Sequence, residues 1–238
     1  MNEKISSKKQ PIFFVIALVI LVVIGLVWNF ERKQPDSTLV DIELTTWVDR
    51  GLTKEAQENL EKRRSDLENS MAYDETIAND ISKMLTLGNL YYSLGDLASA
   101  KQWYESILSD YPNDAPAHEN LGQTLKEMGD FKGAESHWNQ AIVLNPYDLT
   151  YIKLADLIEE YFPDRRKEIQ ILLEEAIASL GQTRSLLIRL GNWYETQGDY
   201  ERAISHYKVA LQMDPENESL RELIKETENK AKNTQGVL

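Results

Sequence analysis

The sequence predicts an all-α protein: a solenoid of stacked helix–turn–helix units preceded by a single transmembrane helix. Three observations carry this. Residues 12–30 form nineteen consecutive positions without a formal charge. A pattern of Leu-Gly, Gly-Asp, Ala, aromatic and Pro then returns at near-regular spacing, and between its turn signals the apolar residues recur with the period of a helix. Composition bounds the rest. Of 238 residues 42% are hydrophobic, the formal net charge is −13, and there is no cysteine, which removes disulfides, thiolate chemistry and cysteine-held metal.

The first element is the apolar run, IFFVIALVILVVIGLVWNF, from Ile12 to Phe30. As a helix it spans roughly 28 Å, close to the hydrocarbon thickness of a bilayer. Its composition favours insertion by something on the order of 5 kcal/mol, and Trp28 stands where an indole reaches the headgroup layer. A cleaved signal peptide is the competing reading. The run exceeds a usual signal core, however, and Trp28-Asn29-Phe30 stands where small residues would mark cleavage. Lys4, Lys8 and Lys9 precede the run, in a short basic tail over residues 1–11, and Arg32 and Lys33 follow it. That bias predicts a cytoplasmic N-terminus and an extracytoplasmic body in a single-pass cell-membrane protein. The body is strongly acidic and has no basic patch, which excludes binding to a nucleic-acid backbone.

Residues 31–52 read as a juxtamembrane linker broken by Pro35, with a loose helical pattern over Thr38–Val48. A pre-repeat helix follows within 53–80. Ala56, Leu60, Leu67 and Met71 form its one narrow stripe, and Lys54, Glu58, Glu61, Arg64 and Glu68 belong to the charged remainder. The stripe is too short for a coiled coil, so the helix is expected to cap the first repeat rather than pair with a second copy.

The repeats come next. LTLGNLYYSLGDLASAKQWYESILSDYP ends at Pro112, ENLGQTLKEMGDFKGAESHWNQAIVLNP at Pro146, and IRLGNWYETQGDYERAISHYKVALQMDP at Pro215. Gly88, Gly122 and Gly191 fall mid-helix, where glycine costs about 1 kcal/mol against alanine, so two helices are expected to cross closely there. Gly95, Gly129 and Gly198 suit the left-handed residue ending the first helix of each pair. Asp96, Asp130 and Asp199 stand where the second helix needs an N-cap.

These residues resemble the tetratricopeptide repeat, a thirty-four-residue helix–turn–helix unit. The resemblance implies a right-handed superhelix of about four repeats over residues 81–217: 81–114, 115–147, a divergent third at 148–183 with extra residues around Phe162-Pro163-Asp164, and 184–217. Residues 218–238 supply a capping helix, with Leu220, Leu223 and Ile224 on one stripe, and a tail.

No catalytic constellation emerges. His137 and His206 share one repeat position and read as repeat-surface residues. His118-Glu119 lacks the second histidine of a zincin, Gly122 standing in its place. Neither a phosphate loop nor a nucleophile elbow is present. The expectation is a protein that is not an enzyme, with no cofactor and no metal. In tetratricopeptide repeats the first helix of each pair lines an inner groove. Carried onto this chain, the resemblance gives Leu85, Asn89 and Tyr92; Glu119, Gln123, Lys126 and Glu127; Ile152, Asp156, Glu159 and Glu160; and Ile188, Asn192 and Glu195 as the candidate groove. A subfamily that clamps a peptide's terminal carboxylates uses lysines where Leu85 and Leu149 stand here, which argues against that mode. The acidic and apolar make-up of the groove predicts a basic, partly hydrophobic protein or peptide partner. The expected function is a membrane-anchored scaffold in envelope or secretion-related assembly. The alternatives are a self-assembling membrane protein, hence a homo-oligomer, and a cytoplasm-facing adaptor.

Overall fold

The computed structural model describes residues 44–235. The expected transmembrane helix at 12–30 lies outside the described residues, as do the basic tail and most of the linker. Among the described residues no helix is long and apolar enough to cross a membrane. The pattern read as helical over Thr38–Val48 is corrected where it is described: residues 44–52 form no helix, and Trp47 makes an isolated antiparallel bridge to Asp96. A helix there would have withdrawn the backbone groups that this segment offers to the first two repeats. We call residues 44–52 the strap.

Eleven α-helices follow among the described residues. Helix α1 (Lys54–Tyr73) and a short α2 (Glu75–Ala78) precede four helix pairs: α3 (Ile81–Leu94) with α4 (Leu97–Asp110), α5 (Ala115–Met128) with α6 (Phe131–Leu144), α7 (Asp148–Tyr161) with α8 (Glu168–Leu180), and α9 (Arg184–Thr196) with α10 (Tyr200–Met213). Helix α11 (Glu218–Gln235) packs on α10. The fold is an all-α helical solenoid.

Each pair is closed by the same local chemistry. Gly95 and Gly129 end α3 and α5 at φ of 91° and 92°, a conformation that would strain an L side chain. Asp96, Asp130 and Asp199 then accept from the backbone N–H groups of Ser99, Gly133 and Arg202, satisfying donors that the next helix leaves free. The mid-helix glycines have a specific cause. A Cβ on Gly88 would lie 2.6 Å from the Tyr104 ring, and one on Gly122 would lie 2.6 Å from Trp138 Cδ1. Tyr207 crowds Gly191 in the same way. Each glycine seats a fully buried aromatic from its partner helix. The third pair solves the same problem with other side chains. Ala155 stands at the glycine position, and Ile169, Leu173 and Ala176 repeat the i, i+4, i+7 spacing of Ala100, Tyr104 and Ile107. The extra residues there form a 3-10 turn, Pro163–Arg165, from which Arg165 bridges Glu135 at 2.6 Å and Glu168 at 2.8 Å.

Helix α1 lies on α3. Met71 is buried in a cluster with Met84, Leu87, Ile107 and Ala117, and Leu67 packs against it. Two residues read as part of the solvated charged face belong to this interface instead. Glu68 accepts a short hydrogen bond from Tyr91 Oη, and Arg64 donates to the same hydroxyl at 3.3 Å and to Glu68 at 3.0 Å. At the other end Leu220 and Ile224 of α11 are buried in the main core, so the last pair is sealed by a helix whose outer face is charged.

Candidate protein-binding groove

All fourteen groove residues lie on the first helices of the pairs, and none is buried. Asn89, Asp156, Glu160 and Asn192 are exposed and the others are half-buried. Leu85, Tyr92, Ile152 and Ile188 pack their inner atoms against the core. The helices thus bring the predicted set to one solvent-accessible series of surfaces.

The charge of that surface differs from the expectation of a free acidic field. Every acidic residue in the set has a cationic partner. Lys153 meets Glu119 at 2.9 Å, Arg50 meets Glu127 at 2.7 Å, and Lys126 meets Glu160 at 3.7 Å. Arg189 binds Asp156 and Glu159, each at 2.6 Å, and Lys230 binds Glu195 at 2.6 Å. Five cations therefore face six carboxylates, and the local excess is one negative charge. The Lys153, Lys126 and Arg189 pairs run from one repeat to the next and form rungs that hold successive first helices in register, while Arg50 ties in the strap and Lys230 ties in α11. Pairs open to solvent contribute about 0–1 kcal/mol each, so the rungs other than that of the buried Arg189 orient more than they stabilise. Sequence reasoning missed Arg50, Lys153, Arg189 and Lys230 as partners. A signal existed: Glu119 and Lys153, like Lys126 and Glu160, stand 34 residues apart, the repeat length itself, and Glu195 and Lys230 stand 35 apart, one residue more.

The asparagines serve the fold as well as the surface. Asn89 Oδ1 accepts from Tyr104 Oη at 2.7 Å and from Asn120 at 3.1 Å, and Asn192 Oδ1 accepts from Tyr207 Oη at 2.7 Å. Each ties the buried ring that presses on the mid-helix glycine to the groove floor. Burial pushes both tyrosine hydroxyls well above the ordinary phenol range, so they stay protonated donors. Burial also pushes Glu127 and Glu195 upward, but hydrogen bonds outweigh it. Tyr92, Gln123 and Arg50 hold Glu127 below the usual carboxylate value, and Lys230, Tyr207 and Thr227 do so for Glu195.

The strap enters at this surface. Val48 N–H donates to the Gly95 carbonyl at 2.9 Å, and Leu97 and Ala98 N–H donate to the Thr46 carbonyl at 3.0 and 3.2 Å. Thr45 N–H reaches the Met128 carbonyl in the second repeat at 2.9 Å. Arg50 then turns into the groove. Its Nε donates to the Tyr92 carbonyl at 3.1 Å, its guanidinium carbon lies 4.4 Å from the Tyr92 ring centroid, and Nη1 meets Glu127. Tyr92 Oη closes the set with a short hydrogen bond to Glu127.

The histidines are less superficial than repeat position suggested. His118 is buried, and its Nδ1 lies 2.9 Å from His137 Nδ1. Its Nε2 faces the Pro112 carbonyl at 3.0 Å, a group that can only accept, so that nitrogen carries a proton. Burial, then the neighbouring His118, lower the His137 pKa. His206 stacks on Tyr194, and burial lowers its pKa too. Among the described residues no group of three or more His, Cys, Asp or Glu side chains is placed to hold a metal ion.

The stacked helix pairs define a helical repeat protein. Family models of the tetratricopeptide repeat match residues 84–114, 115–148 and 185–217, so the chain carries tetratricopeptide repeats at three of its four helix pairs. The chain is 35% identical over 72 residues to the uncharacterized protein ycf37 of Pyropia yezoensis, covering 30% of this chain and 40% of that one. It is 31% identical over 97 residues to tetratricopeptide repeat protein 16 of Homo sapiens, covering 36% and 11%. The matched stretch thus spans less than half the length of either relative. Among solved structures, MamA superposes with a TM-score of 0.55 at 20% identity, over 70% of this chain and 95% of that one. The APC/C hetero-tetramer Cut9–Hcn1 gives 0.53 at 18% identity, over 74% and 34%. TTC0263, a thermophilic TPR protein of Thermus thermophilus, gives 0.50 at 18% identity, over 72% and 98%. At these identities the likeness is one of fold.

Proposed function

We propose that this chain is a tetratricopeptide-repeat scaffold that holds an extended, partly hydrophobic protein segment bearing a basic side chain along its groove. We further propose that residues 12–30 tether it to a bilayer with the repeats on the extracytoplasmic side, where it serves envelope or secretion-related assembly. The observation that carries the binding reading is the strap. A segment of this same chain already lies against two repeats through four backbone hydrogen bonds and one arginine in the groove. This surface therefore holds a non-helical segment through main-chain bonds and one anchored side chain, and a partner segment can use the same groups. A related fold is found in a hetero-tetrameric complex, which supports a role in holding protein partners. The tether rests on the uncharged run at 12–30 and the lysines before it. No catalytic role is assigned.

The self-assembling alternative draws on the apolar stripe of α1. The C-terminal half of that stripe is already used within one chain, since Met71 is buried and Leu67 packs beside it, which leaves the half-buried Ala56 and Leu60 as what it offers to a second copy.

Photocrosslinking in membranes tests both halves. A benzophenone amino acid at Asn192, in the groove, is expected to capture a protein partner that the same probe at Glu58, on the exposed face of α1, does not. Equal capture from both positions would remove the groove as the site. Ser37→Cys is expected to react with a membrane-impermeant thiol reagent in intact cells, and labelling only after lysis would reverse the orientation.

A further inference from the structure

The strap is held in a way that permits release. Trp47 is 58% exposed, Thr45, Thr46 and Asp49 are exposed, and Leu44 and Val48 are only half-buried. No residue from 44 to 52 is buried, so little apolar area is lost to water when the segment lifts. Its hold is mainly polar, four backbone hydrogen bonds and the Arg50 contacts with Tyr92 and Glu127, beside which Leu44 and Val48 pack against the edge of the core while staying half-exposed. Each of these can be exchanged for an equivalent bond from another chain or from water. The fit is also incomplete, since Arg50 Nη2 is buried without an acceptor, which weakens the docked state. Behind the arginine, Gly51 sits at φ 60° with open space where a Cβ would be, so nothing packs at that position on the link between the strap and α1.

Resting on the groove reading above, we infer that residues 44–50 are an internal occupant of the partner site at repeats 1 and 2. The partner segment for this end of the array is then an extended peptide whose arginine stacks on Tyr92 and pairs with Glu127, and it binds by displacing the strap. The tethered strap competes at a high effective concentration because α1 anchors its far end on α3. A free peptide of the same chemistry therefore binds the intact chain weakly, and binds well only when the strap has lost its arginine. A partner that gives the third guanidinium nitrogen an acceptor has an advantage over the strap. The Tyr92–Glu127 bond links repeat 1 to repeat 2, so the occupant spans two repeats and reads both.

The test is a titration of a fluorescein-labelled synthetic peptide of Leu44–Leu52 into the full-length chain, read by anisotropy. Arg50→Ala is expected to bind the peptide about tenfold more tightly than the natural chain, a factor typical of one hydrogen-bonded charged contact. Adding Glu127→Gln to Arg50→Ala should remove that gain, as should replacing the peptide's arginine with alanine. A far-UV melt of each variant separates lost binding from lost folding, and Tyr92→Leu provides a second disruption of the same contact. Equal peptide affinity for the natural chain and Arg50→Ala overturns the inference, and so does a gain that Glu127→Gln and Tyr92→Leu both leave intact. Failure here with crosslinking from Asn192 preserved removes the strap inference and leaves the groove. Loss of both removes the groove as well.

Discussion

Gly122→Ala adds one methyl group and tests how closely the paired helices approach. The new Cβ would stand 2.6 Å from Trp138 Cδ1 and 2.7 Å from Nε1, inside any real contact distance. The indole cannot swing aside freely, because Trp138 is fully buried and its Nε1 donates to the Glu119 carbonyl at 3.1 Å. Overpacking a core of this kind costs about 1–3 kcal/mol. Loss of the indole hydrogen bond adds about 1 kcal/mol. Replacing glycine within a helix returns about 1 kcal/mol through backbone entropy. The expected net is a destabilisation of about 1–3 kcal/mol, or a fall of roughly 3–10 °C in Tm for an array of this size. Thermal melts followed by circular dichroism, with Glu58→Ala as the exposed control, measure it. The double variant with Trp138→Leu should be less than additive, since the smaller side chain relieves the clash. A neutral or stabilising Gly122→Ala would refute the reasoning, because the helix propensity gain would then stand unopposed and the glycine would have no packing cause.

Two further outcomes are expected. Glu68→Ala should cost on the order of 1 kcal/mol through the lost bonds to Tyr91 and Arg64, whereas Glu61→Ala, on the same helix but exposed, should be nearly silent in the same melts. Stability should fall in two stages as pH drops. His137 and His206 have lowered pKa values when folded, so the unfolded chain binds their protons first. Their contribution is therefore complete above the ordinary imidazole value of about 6.5 and is lost as pH falls through their lower folded values. Glu127 and Glu195 are held below the usual carboxylate range, so their contribution persists to lower pH and is lost only below about 4.3. Denaturant midpoints between pH 8 and 3 measure this. His137→Gln with His206→Gln should flatten the upper stage alone, and an unchanged upper stage would exclude these imidazoles as its cause.

The helix pairs were legible because their chemistry is local and periodic. A glycine that must turn left-handed, an aspartate that must cap the next helix and a proline after the pair act within a few residues, so Gly95-Asp96 and Gly129-Asp130 announce their turns directly. The mid-helix glycines announced a close approach, though only the fold revealed that Tyr104, Trp138 and Tyr207 make it. The repeat register likewise placed the fourteen groove residues on the first helices. What it did not supply was their electrostatic state. Counting carboxylates along one face suggests an acidic groove. Their partners arrive from the next repeat, from the strap and from α11, distances of some 34 residues or more along the chain in most cases. The strap was the least legible element. Leu44, Trp47 and Val48 have a spacing compatible with a helix, and no residue in the segment forbids one. It forms no helix because the turns after α3 and α5 present unpaired backbone groups that a non-helical chain can satisfy and a helix cannot. Within the repeats, local sequence thus determined where the paired helices turn and which face they bury. Tertiary structure alone decided which charges find partners and where the strap docks, because both depend on groups brought together across whole repeats.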